Sequence, residues 1–281
     1  MKTGIIDVGG GMRGIYAAGV FDRCMDEDIR FDLCIGISAG SANVSSYLAG
    51  QRGRNRFFYE TYPFRKEYMS LGNFLRIGSY LDLDYIYGTL SNTGGECPLD
   101  YDAFAANPAE LIVIACDADT GESRYFEKKD VARDDYRPMM ASSAIPAVCL
   151  PYPIDGRRYF DGALGDTIPL QKAFDEGCDR VVLVLTKPKD TLRKADKDVF
   201  LARFVKRRWP VAAERLRTRA KRYNEGVALA KKLEAEGKVL IIAPEDTEGM
   251  DTLKKDRDAM ERLYARGYED AAAIRAFAAG D

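Results

Sequence analysis

Gly36-Ile37-Ser38-Ala39-Gly40 closes a short apolar run, Leu33 to Ile37, and precedes small and apolar residues that continue to Leu48. Between a strand and a helix, the pattern G-x-S-x-G builds a nucleophile elbow. The turn forces the serine into strained backbone angles, and Gly36 and Gly40 leave the space it needs. Oγ then projects at a helix N-terminus, whose dipole favours a developing oxyanion. Taken alone, the five residues fit equally well a tight turn carrying an idle serine, so the rest of the chain must decide.

Gly9-Gly10-Gly11-Met12-Arg13-Gly14 follows the apolar run Thr3 to Val8 and opens a stretch of helical spacing that reaches Met25. Backbone N–H groups at such a junction are free to point at negative charge. Read literally, Gly9, Gly11 and Gly14 satisfy G-x-G-x-x-G, a weak dinucleotide signal. The ribose-holding acid of that motif belongs near the carboxyl end of the second strand, where this chain has Gly36-Ile37-Ser38; Asp32 precedes the strand. No nucleotide partner is therefore expected. In a hydrolase the amides of Gly9, Gly10, Gly11 and Met12, joined by that of Ala39, would form an oxyanion hole. Arg13 and Gly14 would support the loop, with Arg13 free either to steady it or to meet a phosphate.

The chain contains no histidine, which removes every Ser-His-Asp triad, Cys-His dyad and histidine-ligated metal. A serine nucleophile is left with a carboxylate or a lysine as base. Asp161 is the best placed: it follows the strand-like Tyr159-Phe160 and precedes Gly162-Ala163, whose small size lets another loop approach. An isolated Asp-Gly is otherwise a common turn. The six cysteines are scattered, without a C-x-x-C pair, and read as buried free thiols. No metal and no cofactor are expected.

The elements that must position these residues alternate. Strand, glycine loop and helix up to Met25 are followed by strand, sharp turn and helix up to Leu48. Glu110 to Cys116 and Arg180 to Thr186 are strongly strand-like, and Ser123 to Glu127 pairs beside the first of these. Asn55 to Leu99 reads as short helices and loops over a site, and Pro169 to Gly177 as a helix. The fold class is α/β: a doubly wound, mostly parallel sheet flanked by helices, with ligands bound outside the carboxyl ends of its strands. Residues 1–190 are expected to form the catalytic domain and 191–281 a mainly helical C-terminal extension packed on it, with a last strand from Lys238 to Ala243.

Three motifs in this order resemble the patatin-like phospholipases, lipid acyl hydrolases with a Ser-Asp dyad. They are the glycine-rich loop from Gly9 to Gly14, the elbow Gly36 to Gly40, and Asp161-Gly162-Ala163, where many members have Asp-Gly-Gly. The segments 117–122 and 141–146 also resemble the family, and the similarity covers roughly Lys2 to Thr186. The resemblance implies a patatin-like fold, Ser38 as nucleophile, Asp161 as general base, and fatty-acyl esters as substrates, cleaved without a metal. The competing reading is a non-catalytic lipid- or acyl-binding protein that keeps the fold.

With 42 basic and 44 acidic residues, the formal net charge is −2, so overall charge points to neither nucleic acid nor an anionic membrane. No nucleic-acid partner is expected. Nor does the chain show a run of ~20 apolar residues or a signal-like N-terminus, which makes a cytoplasmic location the default. One local patch stands out. Lys206-Arg207-Arg208 lies beside Phe204 and Trp209 and is followed by Arg215, Arg217, Arg219, Lys221 and Arg222. Such a run reads first as a solvated helix face. Its alternative is peripheral docking on anionic lipid through Lys206, Arg207, Arg208 and Trp209.

Overall fold

Residues 1–279 are described by a computed structural model. The strands are β1 (Thr3–Asp7), β2 (Leu33–Ile37), β3 (Glu110–Asp117), β4 (Ser123–Glu127), β5 (Tyr152–Ile154), β6 (Arg157–Asp161), β7 (Arg180–Val184) and β8 (Val239–Ile242). They form one sheet in the order β5-β6-β3-β2-β1-β7-β8, with β4 paired to β3 off that path. The run from β3 to β8 is parallel, while β4 and β6 pair antiparallel to β3.

Strands covered on both faces are largely apolar, and β1 and β2 are buried at every residue, including Asp7 at the end of β1. Their side chains alternate between two cores. Ile5, Cys34, Val113 and Val182 enter one with α1 (Ile15–Asp26) and α2 (Ala39–Leu48). Ile6, Ile35, Ile112 and Leu183 enter the other. Between α2 and β3 lie α3 (Arg54–Thr61), α4 (Leu71–Ile77), a π-helical turn over Asp84–Thr89 and α5 (Tyr101–Ala106); α6 (Arg137–Ser142) leads to β5, and α7 (Leu170–Asp175) precedes β7.

The chain after residue 190 belongs to the same sheet and cores. It supplies α8 (Asp196–Val205), α9 (Pro210–Ala235), β8 and α10 (Arg257–Asp270). Tyr223, Val227 and Ala230 of α9 enter the second core, β8 pairs with β7, and Tyr264 of α10 donates to the buried Asp22 of α1 at 2.7 Å. All six cysteines are buried free thiols. Among the described residues no helix is long and apolar enough to cross a membrane.

The basic run is corrected in one respect. Trp209, which the docking alternative would turn toward lipid, is 5% exposed. Its ring packs edge-on against Phe160, 5.8 Å between centroids, beneath the Arg158 guanidinium at 4.3 Å. Lys206, Arg207 and Arg208 are exposed, but Arg219 turns inward to Asp198, and Arg222 donates to the carbonyls of Gly165 and Leu164. A helix that must bury its tryptophan to close the core under α8 cannot also offer it to a bilayer.

Candidate active site

Register brings the two key residues to one height. Ile37, the last residue of β2, opposes Ile114 of β3, and the next residue, Ala115, opposes Asp161 of β6. Ser38 continues from Ile37, so β3 acts as the spacer between serine and aspartate. Both residues line one cavity of about 820 Å³.

Ser38 has φ 55° and ψ −130°, a strained conformation for a residue with a Cβ. Four hydrogen bonds hold the turn or its neighbours. The Ser38 amide donates to Ser142 Oγ at 2.8 Å, the Ser38 carbonyl accepts the Ser41 amide at 2.9 Å and the Ser41 hydroxyl at 2.6 Å, and Asp161 N–H donates to the Ala144 carbonyl at 2.9 Å. The segment from Ala141 to Pro146 thus ties the two halves of the site together. A Cβ on Gly36 would come within 2.5 Å of Ser41 Cα, and one on Gly40 within 2.4 Å of the Asp7 carbonyl, so both elbow glycines are required by close approach.

Asp161 is 4% exposed, and one of its oxygens accepts the Ala163 amide at 2.9 Å. Burial raises its pKa above the usual carboxylate range. The Ser38 hydroxyl opposes that rise as a hydrogen-bond donor, followed by the Ala163 amide and the charges of Arg219 and Arg193. A carboxyl with a raised pKa is a stronger base than an ordinary aspartate once ionised. Gly162 lies against the Ile114 carbonyl, which a Cβ would meet at 2.1 Å, so the small residue after the aspartate lets β6 sit this close to β3.

The glycine loop follows β1 with φ values of 67°, 138° and 59° at Gly9, Gly10 and Gly11, three successive conformations that only glycine adopts freely. Its amides are not equivalent. Gly9 N–H donates to Asp7 Oδ1 at 2.8 Å, and Met12 N–H donates to the Thr252 carbonyl at 2.9 Å. Both were expected to face an oxyanion, and both are already spent on the loop's own support. The amides of Gly10, Gly11 and Ala39 have no acceptor among the described residues. Gly14, packed against the Tyr59 hydroxyl, offers its carbonyl to Asn43 at 3.0 Å.

Arg13 is 5% exposed and lines the cavity. Its guanidinium reaches Asp251 at 3.2 Å and Thr252 Oγ1 at 3.4 Å, so it ties the glycine loop to the distant segment that also receives the Met12 amide. Asp7, Ser142 and Thr252 support the site without having been singled out in the sequence. Asp7 left a trace there as a charge at the end of a strand, and Ser142 as part of the family-like segment 141–146. Among the described residues no cluster of His, Cys, Asp or Glu could hold a metal ion.

The chain resembles known proteins over the parts that build this site. A family model described as patatin-like phospholipase matches residues 8–174, and one described as domain of unknown function DUF6363 matches residues 210–275. The uncharacterised protein YjjU of Escherichia coli (strain K12) is 32% identical over 193 residues, covering 66% of this chain and 52% of that protein. The chain therefore spans about half the length of this curated relative. The crystal structure of VipD from Legionella pneumophila aligns over 97% of this chain and 66% of that one, with a TM-score of 0.56 and 14% sequence identity, a likeness of fold. The first family match takes in the glycine loop from its first glycine, the elbow and Asp161, more than half of the chain, and on that ground the protein belongs to the patatin-like phospholipase family.

Proposed function

We propose that the protein is a serine acyl hydrolase that cleaves fatty-acyl esters of lipids. One observation carries this reading: Ser38, strained and held by Ser142, shares a cavity with a buried aspartate that the register of β2, β3 and β6 brings to the same height. Asp161 takes the Ser38 proton as Oγ attacks the ester carbonyl. The carbonyl oxygen becomes an oxyanion facing the amides of Gly10, Gly11 and Ala39. Collapse expels the alcohol, which receives the proton from Asp161. Water, giving its proton to the same carboxylate, then attacks acyl-Ser38, and Ser38 Oγ leaves with that proton returned from Asp161 as the acid is released. Ile145, Val148, Leu201 and Leu253 give the cavity apolar wall for an acyl chain.

Peripheral contact with anionic lipid forms part of the proposal, with the aromatic contribution moved from Trp209 to α8. Phe200 and Phe204 stack edge-on at 5.0 Å and are 55% and 66% exposed, next to the exposed Lys206, Arg207 and Arg208. Leu201 of the same helix lines the cavity, so docking there would set the cavity beside the lipid.

A fluorophosphonate probe tests the reading. It should label the wild type at Ser38 and leave Ser38→Ala unlabelled, and hydrolysis of medium-chain esters should disappear with the label. A folded wild type that neither labels nor hydrolyses any acyl ester would favour a lipid-binding protein without turnover.

A further inference from the structure

Among the described residues twelve large apolar side chains are exposed, and five of them sit on α4 or against its end: Leu71, Phe74, Leu75, Ile77 and Leu150. A single exposed leucine is ordinary, but a cluster marks a contact surface. Leu71, Phe74 and Leu75 follow the i, i+3, i+4 spacing that puts them on one helix face, and they are 74%, 48% and 86% exposed. Leu150 packs at the helix end, 3.0 Å from where a Cβ on Gly78 would stand.

The surrounding residues hold α4 up instead of folding it in. Met69 and Leu81 form an antiparallel bridge, flanked by bonds from the Ser70 amide to the Tyr80 carbonyl and from the Asp82 amide to the Tyr68 carbonyl, both 3.1 Å. This pairing is a stem that carries residues 71–79. Ser70 caps the helix by accepting the Asn73 amide, the buried Asn73 side chain donates to the carbonyls of Lys66 and Glu67, and Gly78 ends the helix in a left-handed conformation. Polar bonds fix the inner side of α4, and its apolar side is left outward.

Two observations choose the occupant. From Tyr68 to Leu81 the only charged residue is Arg76, which pairs with Asp82 beyond the stem. The apolar face therefore sets no carboxylate of its own against anionic headgroups, as an element that lies in a lipid boundary requires. The stem also leans on the wall of the Ser38 cavity. The Tyr80 amide donates to the Val148 carbonyl at 2.7 Å and the Leu150 amide to Ser79 Oγ at 3.0 Å, and Val148 lines the cavity. The apolar face is thus continuous with the rim of the cavity that α8 borders through Leu201.

We propose that α4 is a lipid-docking surface: Leu71, Phe74 and Leu75 enter the acyl region of a lipid layer and bring the cavity rim at Val148 against it. The choice of lipid as partner rests on the acyl-hydrolase reading, whereas the surface is measured without turnover. Apolar insertion survives high salt, which screens the charges at 206–208, so this contact separates from that of α8.

The test is sedimentation of Ser38→Ala with vesicles of phosphatidylcholine containing some phosphatidylglycerol, in high salt. Adding Leu71→Ser and Leu75→Ser should leave thermal melting nearly unchanged and lower partitioning about tenfold for each leucine. Leu229→Ser, at an exposed position of α9, should lower nothing. Brominated phosphatidylcholine should quench the tryptophan introduced by Phe74→Trp, with the buried Trp209 as the unquenched reference. Equal partitioning of the two-serine variant and its parent, an unquenched Phe74→Trp variant, or a parent that binds no vesicle overturns the proposal. So does a parent that dimerises in sedimentation velocity and loses the dimer, but not the vesicles, with the two serines; that result assigns the face to a second copy of the chain. A wild type that docks through α4 yet cleaves no acyl ester removes the acyl-hydrolase reading and leaves the docking surface standing.

Discussion

Gly9 donates its amide to one oxygen of Asp7 at 2.8 Å, and Asn43 donates to the other at 2.9 Å. The Asp7 carboxyl is fully buried; burial raises its pKa to about 6, against the pull of Asn43 and Gly9. Because the folded state holds this proton more tightly than the unfolded chain, ionising Asp7 lowers stability as pH rises from about 4 to 6. Relative to Asp7→Asn, which cannot ionise, the wild type should lose about 3 kcal/mol between pH 4 and 7, from roughly two units at ~1.4 kcal/mol each. Urea unfolding of both proteins at the two pH values measures this. A stability gap that ignores pH would show that Asp7 does not titrate in this range.

Asp161→Asn should lower kcat/KM by about 10²–10⁴-fold, the usual contribution of a positioned base, while leaving the melting temperature close to that of the wild type. The base acts when ionised and its pKa is raised, so activity should climb with pH on a limb lying above the ordinary carboxylate value of ~3.9. That limb should be absent from the residual activity of the variant. An identical pH profile in both would assign the limb to another group.

Gly10→Ala places a Cβ 2.3 Å from Thr186 Oγ1, at a φ of 138°. Displacing this amide should cost about 10²–10³-fold in kcat, as for one lost oxyanion donor. Adding Thr186→Ala removes the collision but not the backbone strain, so rescue should be partial. Steady-state kinetics of the single and double variants distinguish the two contributions, and full rescue would mean that strain at Gly10 is immaterial.

Trp209 and Phe204 should respond in opposite ways. Trp209→Ala empties the space against Phe160 and should cost about 3–5 kcal/mol of stability. Phe204→Ser, at an exposed position, should leave thermal melting nearly unchanged and reduce sedimentation with anionic vesicles. If Phe204→Ser and removal of the charges at 206–208 both leave vesicle binding unaltered, α8 is not the contact.

The sheet was legible because a strand buried on both faces favours an apolar run, which β2, β3 and β7 have and β1 has up to its terminal Asp7. Ser38 could be singled out because the elbow's steric demands write glycine at fixed positions, and Asp161 because the absence of histidine narrows the choice of base. What escaped the sequence depends on contacts between remote segments. Nothing near Met12 or Gly9 indicates that Thr252 and Asp7 claim their amides. Trp209 sits among arginines in the chain, but its surroundings are set by Phe160 and Arg158, which reach it from β6.

The bond from Met12 to Thr252 also has a consequence in time. As the chain leaves the ribosome, β2 and β6 can pair with β3 and bring Ser38 and Asp161 to one height while residue 252 is still unmade, since domains assemble from the N-terminal side during synthesis. Until that late segment arrives and docks, the glycine loop lacks its clamp, and under the proposed mechanism a nascent chain would carry Ser38 without a rigid cradle for the charge its attack creates.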